Sequence, residues 1–283
     1  MSDVRIFVGG RIVDRIDPGD RGLAYGDGVF ETLRLHAGRP VWWAAHWARL
    51  ARGAARLGIP LPDETTLRGH IDAVIADCVR EIAVIKIVLT RGAGGRGYAP
   101  PNDTQPMLVL SLHAMPPPTP VAGIAVRWCE TRLAIQPALA GIKHCNRLEQ
   151  VLACAEWDDQ PIAEQQLHAG LMRDTEGFAV CATAANLFVL RDGRWWTPPV
   201  DRCGVAGVCR EWMLAHADAA ERRLTVEDVE SADAVFLCNS VRGILPVAAL
   251  AERRWSSHPR AIQLQRMLAG AQPCFAAHDG DND

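Results

Sequence analysis

The sequence predicts a mixed α/β chain of two domains, and three observations carry that reading. Strand patterns come first, alternating over residues 4–13 and 29–42. Helical patterns follow, and two runs, 82–90 (IAVIKIVLT) and 107–112 (MLVLSL), are too apolar and β-branched for exposed strands, so they predict interior ones. A proline-rich stretch, Met115-Pro-Pro-Pro-Thr-Pro120, then interrupts the pattern. Proline lacks the N–H that a ladder needs and clashes inside a helix, so this stretch predicts an extended linker. The domains fall at 1–114 and 122–275, with a linker at 115–121. The polar end of the chain, 276–283, predicts a disordered tail.

Gly9-Gly10 breaks the first alternation into a hairpin, and residues 29–36 and 40–42 flank a second turn. Trp43, Trp47, Leu50, Ala54 and Leu57 recur at the spacing of one helix face, with the tryptophans read as core packing. Residues 67–79 form a second amphipathic stretch after the polar Pro62-Asp-Glu-Thr. Beyond the linker come a strand at 122–129, a helix near 147–157, strands near 168–173 and 186–190, and a hairpin through Asp192-Gly193. A helix at 206–217, a strand at 234–238 and a last helix near 259–269 complete the strand-rich second half.

Composition narrows the function. Of 283 residues 49% are hydrophobic, enough for one large core or two modest ones, since single cores rarely grow past roughly 250–300 residues. Lys and Arg number 30 against 33 for Asp and Glu, so the positive excess that selects phosphate backbones is missing and nucleic acid is not the expected partner. Nine cysteines with no CxxC pair fit neither a disulfide framework nor a zinc site, and point to a reducing cytoplasm and no bound metal. No apolar run reaches the roughly 20 residues of a membrane helix, and the first residues read as a hairpin instead of an export signal.

Five segments carry candidate chemistry. Gly92-Ala-Gly94-Gly95-Arg96-Gly97 matches a dinucleotide fingerprint, but Tyr98-Ala-Pro100-Pro101 follows where that motif needs a helix, so the segment reads as a loop presenting Arg96 and Tyr98. In Gly204-Val-Ala-Gly207-Val208-Cys209-Arg210 small residues open a helix and leave the amides of Val208 and Cys209 free to face an anion. Lys143 lies among small and apolar residues before a helix, where desolvation lowers a lysine pKa and readies the amine for covalent chemistry; by composition alone, a solvated surface lysine is commoner. His46 and Arg49 are three apart on one helix and reach the same cleft, Arg49 with the planar fork that suits phosphate. Asn239-Ser240 ends a strand, with Arg242 just beyond it.

In this order the segments resemble the fold-type IV, branched-chain-aminotransferase-like family of pyridoxal-phosphate enzymes. The match runs from Asp20-Arg-Gly-Leu-Ala-Tyr-Gly-Asp-Gly-Val-Phe-Glu-Thr32 through Ala45-His-Trp-Ala-Arg-Leu50, the glycine-rich loop, Lys143, Ala184-Ala-Asn-Leu-Phe188, 204–210 and 239–247, about four fifths of the chain. The resemblance implies an N-terminal α/β sandwich, a barrel-like C-terminal domain that carries the lysine, pyridoxal 5'-phosphate held between them, and a cytoplasmic homodimer acting on a small molecule. It makes Lys143 the lysine that holds the cofactor and Arg49 its phosphate-binding arginine. It implies that Val208 and Ser240 cup the phosphate, with Gly207, Cys209, Asn239 and Cys181 also at the cofactor, and that Arg147 stands near the cofactor's phenolic oxygen, where the aminotransferases usually have a tyrosine. Thr32, Arg96, Tyr98 and Arg242 are the residues expected around the substrate's carboxylates and ring.

Three segments, GIKHCNRLEQ, RGAGGRGY and CNSVRGILPV, look like the lyase branch of that family, in which 4-amino-4-deoxychorismate loses pyruvate to give 4-aminobenzoate. A branched-chain or D-amino-acid aminotransferase, and a cofactor-binding protein without turnover, remain alternatives. One departure from the family stands out: five residues before Asn186, where the family has a glutamate facing the pyridine nitrogen, this chain has Cys181. Glu176 lies five positions earlier still, in an expected turn.

Overall fold

The computed structural model describes residues 4–76, 82–156 and 167–276. By its contacts the chain divides into unit 1, Met1–Met115 with Ile142–Arg147, and unit 2, Pro116–Gly141 with Leu148–Asp283. One division between the units therefore falls inside the proline-rich stretch.

Unit 1 contains β1 (Val4–Val8), β2 (Arg11–Val13), α1 (Arg21–Tyr25), β3 (Gly28–His36), β4 (Arg39–Pro40), α2 (Trp43–Leu57), α3 (Glu64–Ala76), β5 (Ile82–Thr90) and β6 (Met107–His113). Its strands form one antiparallel sheet in the order β2-β1-β6-β5-β3-β4, so the two apolar runs are interior, as expected from their composition. The period of two is strict. Leu33 and Leu35 on β3, Ile85, Ile87 and Leu89 on β5, and Leu108, Leu110 and Leu112 on β6 share one buried cluster with Leu50 and Ala54 of α2 and Leu67, Ile71 and Val74 of α3. The intervening positions, among them Phe30, Thr32 and Lys86, belong to the other face. The short α1 was not expected; Asp20 caps it by accepting from Leu23 N at 3.1 Å, and Gly26 ends it in the left-handed conformation.

The segment around Lys143 corrects the sequence reading, which placed it with the C-terminal half. Ile142–Arg147 groups with unit 1. Phe30 N donates to Lys143 O and Cys145 N donates to Gly28 O, both at 2.9 Å, and Val29 stands opposite His144 in an antiparallel bridge. Pairing across more than a hundred residues leaves no periodic mark in a segment this short.

Unit 2 contains β7 (Ile124–Leu133), α4 (Leu148–Ala155), β8 (Leu167–Asp174), β9 (Ala179–Ala182), β10 (Ala185–Arg191), β11 (Arg194–Thr197), α5 (Val208–His216), β12 (Ala219–Glu221), α6 (Val226–Glu230), β13 (Ala234–Asn239), β14 (Gly243–Leu250), β15 (Arg253–Arg254) and α7 (Pro259–Ala271). The sheet runs β12-β11-β10-β13-β14-β7-β8-β9, and β9 pairs back onto β10, so the strands from β10 round to β9 close into a ring. Ile124, Val126, Leu171, Leu187, Val189, Val235, Leu237, Leu245 and Val247 fill its main core. β14, to which the sequence analysis assigns no element, pairs antiparallel with β13 and parallel with β7. Of the expected tail, 277–283 lies outside the described residues, as do 77–79 of the second expected helix and 157 of the third. No helix among the described residues is long and apolar enough to cross a membrane.

Candidate active site

Lys143 is half-buried beside β3, its Nζ 4.2 Å from the centroid of the Phe30 ring. Burial is the main force that pushes its pKa down to about 7, and the Arg49 guanidinium adds to it while Glu31 opposes. Such an amine is substantially neutral at physiological pH and so able to act as a nucleophile or base, which an ordinary surface lysine is not. Arg147 holds the segment in shape: its Nε donates to His144 O at 3.0 Å and its Nη2 to Ile142 O at 3.2 Å.

Arg49 and His46, one turn apart on α2, converge on Glu31 of β3. Arg49 Nε donates to Glu31 Oε1 at 2.8 Å and Nη2 to Oε2 at 2.6 Å, while His46 Nδ1 lies 2.6 Å from Oε2. All three side chains are buried. Burial alone would raise the Glu31 pKa, but the Arg49 charge and these hydrogen bonds overcome it and hold the carboxyl at about 2. Burial lowers the His46 pKa despite Glu31, so the ring is neutral with its proton on Nδ1, and Nε2 is a buried acceptor without a hydrogen-bond partner. The sequence reading missed Glu31, although a signal was present. It alternates with Leu33 and Leu35 on the apolar face, and a charge there requires a buried counter-charge.

The other candidates in unit 1 are arranged less tightly. Thr32 on β3 is in register with Lys86 on β5. Arg96 and Tyr98 are exposed, Tyr98 by 85%, and no hydrogen bond, ion pair or ring contact joins either to Lys143. Their loop is tethered instead to buried Arg21, which donates to Gly97 O at 3.0 Å and Tyr98 O at 2.8 Å and pairs with Asp27.

In unit 2, Gly207 caps the start of α5, and its extended backbone offers no side-chain cap, so the first amides of the helix, those of Val208 and Cys209, are not taken by a side chain at the cap. Buried Asn186 on β10 shapes this turn: Nδ2 donates to Val205 O at 2.9 Å, and a Cβ at position 207 would lie 2.0 Å from its Oδ1. Only glycine permits that approach. The Cys209 thiol is hydrogen-bonded to Cys238, leaving its amide as its contribution to the turn. Asn239 builds the β13–β14 turn, its Oδ1 accepting from Val241 N at 3.0 Å and Arg242 N at 2.8 Å, so it supports Ser240 from behind. Arg242 reaches back to the proline-rich stretch, donating to Pro117 O at 3.2 Å and Thr119 Oγ1 at 3.4 Å. Cys181 on β9 is 8% exposed, in register with Asn186 and packed in a small cluster with Cys129, Met172 and Cys203.

Residues 28–250 match the family described as amino-transferase class IV. An aminodeoxychorismate lyase of Vibrio harveyi is 36% identical over 253 residues, 86% of this chain and 90% of that one. A D-alanine aminotransferase of Listeria innocua is 27% identical over 265 residues, covering 86% of each. Among solved structures, the 4-amino-4-deoxychorismate lyase of Pseudomonas aeruginosa superimposes with a TM-score of 0.86 at 42% identity, covering 94% of this chain and 99% of that one.

Proposed function

The chain belongs to the amino-transferase class IV family, and from that membership we propose that it is a pyridoxal-phosphate-dependent aminodeoxychorismate lyase, converting 4-amino-4-deoxychorismate to 4-aminobenzoate and pyruvate on the route to folate. The observation that carries the reading is Lys143, an amine depressed to about 7 in the GIKHCNRLEQ segment. The likeness to lyases from two organisms supports the choice of reaction. Eight cysteines among the described residues stand outside any disulfide, which fits the cytoplasmic placement, and the family resemblance supports a homodimer.

The residues present fit the cofactor. An uncapped helix start and the Ser240 turn suit a phosphate, the glycine at 207 leaves open what a Cβ would fill, and Lys143 is a ready covalent anchor. The amides of Gly207, Val208 and Cys209 and the Ser240 hydroxyl would hold the phosphate, with Asn239 bracing the turn. Arg49 would add its charge, Lys143 the covalent anchor, and Arg147 a donor toward the phenolic oxygen. Cys181 would stand toward the pyridine nitrogen.

Bound pyridoxal phosphate supplies the electron sink for a carbanion at the substrate carbon that bears the amine. Lys143 would remove the proton from that carbon through Nζ. Enolpyruvate leaves from the adjacent carbon, Lys143 returns a proton, and the ring becomes aromatic. Thr32, Arg96, Tyr98 and Arg242 are assigned to the substrate's carboxylates and ring. Incubating purified protein with 4-amino-4-deoxychorismate tests the reading by the equimolar appearance of 4-aminobenzoate and pyruvate. Keto-acid-dependent amino transfer without pyruvate release would establish the aminotransferase reading instead, which the likeness to D-alanine aminotransferase keeps in view. A stable cofactor complex inert to every amine would mean binding without turnover.

A further inference from the structure

Only one nitrogen of the His46 ring is engaged. Nδ1 lies 2.6 Å from Glu31 Oε2, and the shape of an imidazole turns Nε2 to the far side of the ring from that carboxylate. Nε2 has no hydrogen-bond partner among the described residues, and the side chain is only 1% exposed, so bulk water does not serve it. A buried acceptor left unsatisfied costs stability, so an atom in that position calls for a ligand. Three charged groups act on the ring: Glu31 on β3, Arg49 one turn along the same helix, and Lys143 on the 142–147 segment. Arg49 is already committed to Glu31 through two hydrogen bonds, so the two charges nearly cancel. A phosphate monoester brings about two negative charges to that arginine, and a buried anion without a full counter-charge is costly. Lys143 is occupied once it anchors the cofactor. His46 is then the neighbour that can gain a positive charge.

We propose that His46 is a cofactor-binding residue: when the cofactor's phosphate binds at Arg49, Nε2 takes up one proton from solvent and the imidazolium donates it to a phosphate oxygen, Nδ1–H staying on Glu31. This rests on the cofactor reading and extends it. Glu31 then serves two cations on α2, Arg49 and His46, and braces both toward the same anion. No bond to carbon changes; the step is a protonation, complete only while phosphate is present. Burial keeps the ring neutral in the cofactor-free protein, its pKa below the ordinary 6.5, and the phosphate raises it. Phosphate binding is therefore strongest at low pH, and between the free and bound values Kd rises by up to tenfold per pH unit.

The test reads the histidine ring nitrogens by NMR at pH 8 in the cofactor-free protein, with pyridoxal phosphate, and with pyridoxal, which reacts at Lys143 but brings no phosphate. One histidine should pass from the neutral Nδ1–H form to the doubly protonated form with pyridoxal phosphate only. His46→Asn, whose amide can still donate to Glu31, should lack that signal. Its pyridoxal phosphate Kd should also rise less steeply above pH 6.5 than that of wild type. The inference is overturned by a wild type in which no histidine gains a ring proton, by an equal change with pyridoxal, or by a signal that survives in His46→Asn. Failure to bind pyridoxal phosphate at all would remove the cofactor reading together with this inference. Binding with every histidine unchanged would remove this inference alone.

Discussion

Arg49 and Glu31 form a two-pronged pair with side chains only 5% and 1% exposed, Nη2 standing 2.6 Å from Oε2. The pair joins α2 to β3 and fixes one edge of the guanidinium, so the direction of the whole group is set before any ligand arrives. It also places a net charge near zero beside Lys143, whose amine feels both partners with opposite sign.

Replacing Glu31 with Gln should be strongly destabilising. An arginine left buried without its counter-charge typically costs 3–5 kcal/mol, measurable by denaturant unfolding of the cofactor-free protein at pH 7. The pH dependence has a definite sign. The Glu31 pKa falls from an ordinary 4.5 to about 2 in the folded chain, so its contribution, about 3 kcal/mol, is complete above pH 4.5 and is lost as pH drops toward 2. The stability gap between wild type and Glu31→Gln should narrow over that window. A gap that stays constant from pH 6 to pH 2 would show that the carboxylate charge is not what stabilises the pair.

Lys143 should be the residue that borohydride fixes to the cofactor, read out by peptide mapping. Attachment needs the neutral amine, so its rate should rise through pH 7 and level off, well below the range of an ordinary lysine near 10.5. In the cofactor-free protein the same shift opposes folding fully below pH 7, where the buried amine must carry its charge. That penalty fades as pH rises from 7 toward 10.5, because only the unfolded chain is then protonated. Label on Lys86, or an attachment rate still climbing at pH 10, would contradict this.

Gly207→Ala should weaken cofactor binding, because the new Cβ would meet Asn186 Oδ1 at 2.0 Å and one of the two must move. Asn186→Ala removes the donor to Val205 O and should cost about 1–3 kcal/mol of stability. The double variant removes the clash, so the two effects on cofactor half-saturation should combine to less than their sum. Strict additivity would mean that Asn186 and Gly207 shape the turn independently.

Most elements of both units were legible because their periodicities are local: the alternation of β3, β5 and β6, the Trp43 to Leu57 helix face, and the turn at Asp192-Gly193. What escaped depends on partners far away in sequence. β14 has no sequence assignment because Pro246 suppresses the strand signal, yet β13 and β7 flank it on both sides. The bridge that groups Lys143 with unit 1 is invisible for the same reason. Within the candidate site, the residue types with strong chemical signatures, Lys143 and Arg49 among them, are the ones the sequence singles out. Glu31 and Asn186, which orient those groups or their neighbours, were not singled out, since their roles are defined by a contact and not by a motif.

Cys181 yields the sharpest test of reaction choice, because a glutamate is expected at its position and a thiol is a weak stand-in for a carboxylate. Transamination must keep a carbanion long enough to reprotonate it at the cofactor, and that requires the pyridine nitrogen to stay protonated. Elimination is less demanding, since charge departs with enolpyruvate and an aromatic product forms. We therefore expect the unmodified protein to transaminate poorly relative to its lyase rate, and Cys181→Glu to raise amino transfer while changing lyase turnover less. The structure adds a second readout. Cys181 packs among Cys129, Met172 and Cys203, so a glutamate there is held in apolar surroundings and should destabilise the cofactor-free protein by several kcal/mol unless it is protonated. If position 181 faces the pyridine nitrogen, adding cofactor gives that carboxylate a cationic partner and should raise the Tm of Cys181→Glu more than that of wild type. Equal Tm gains in both proteins, with transamination unchanged, would show that Cys181 is a core residue and that another group governs the pyridine nitrogen.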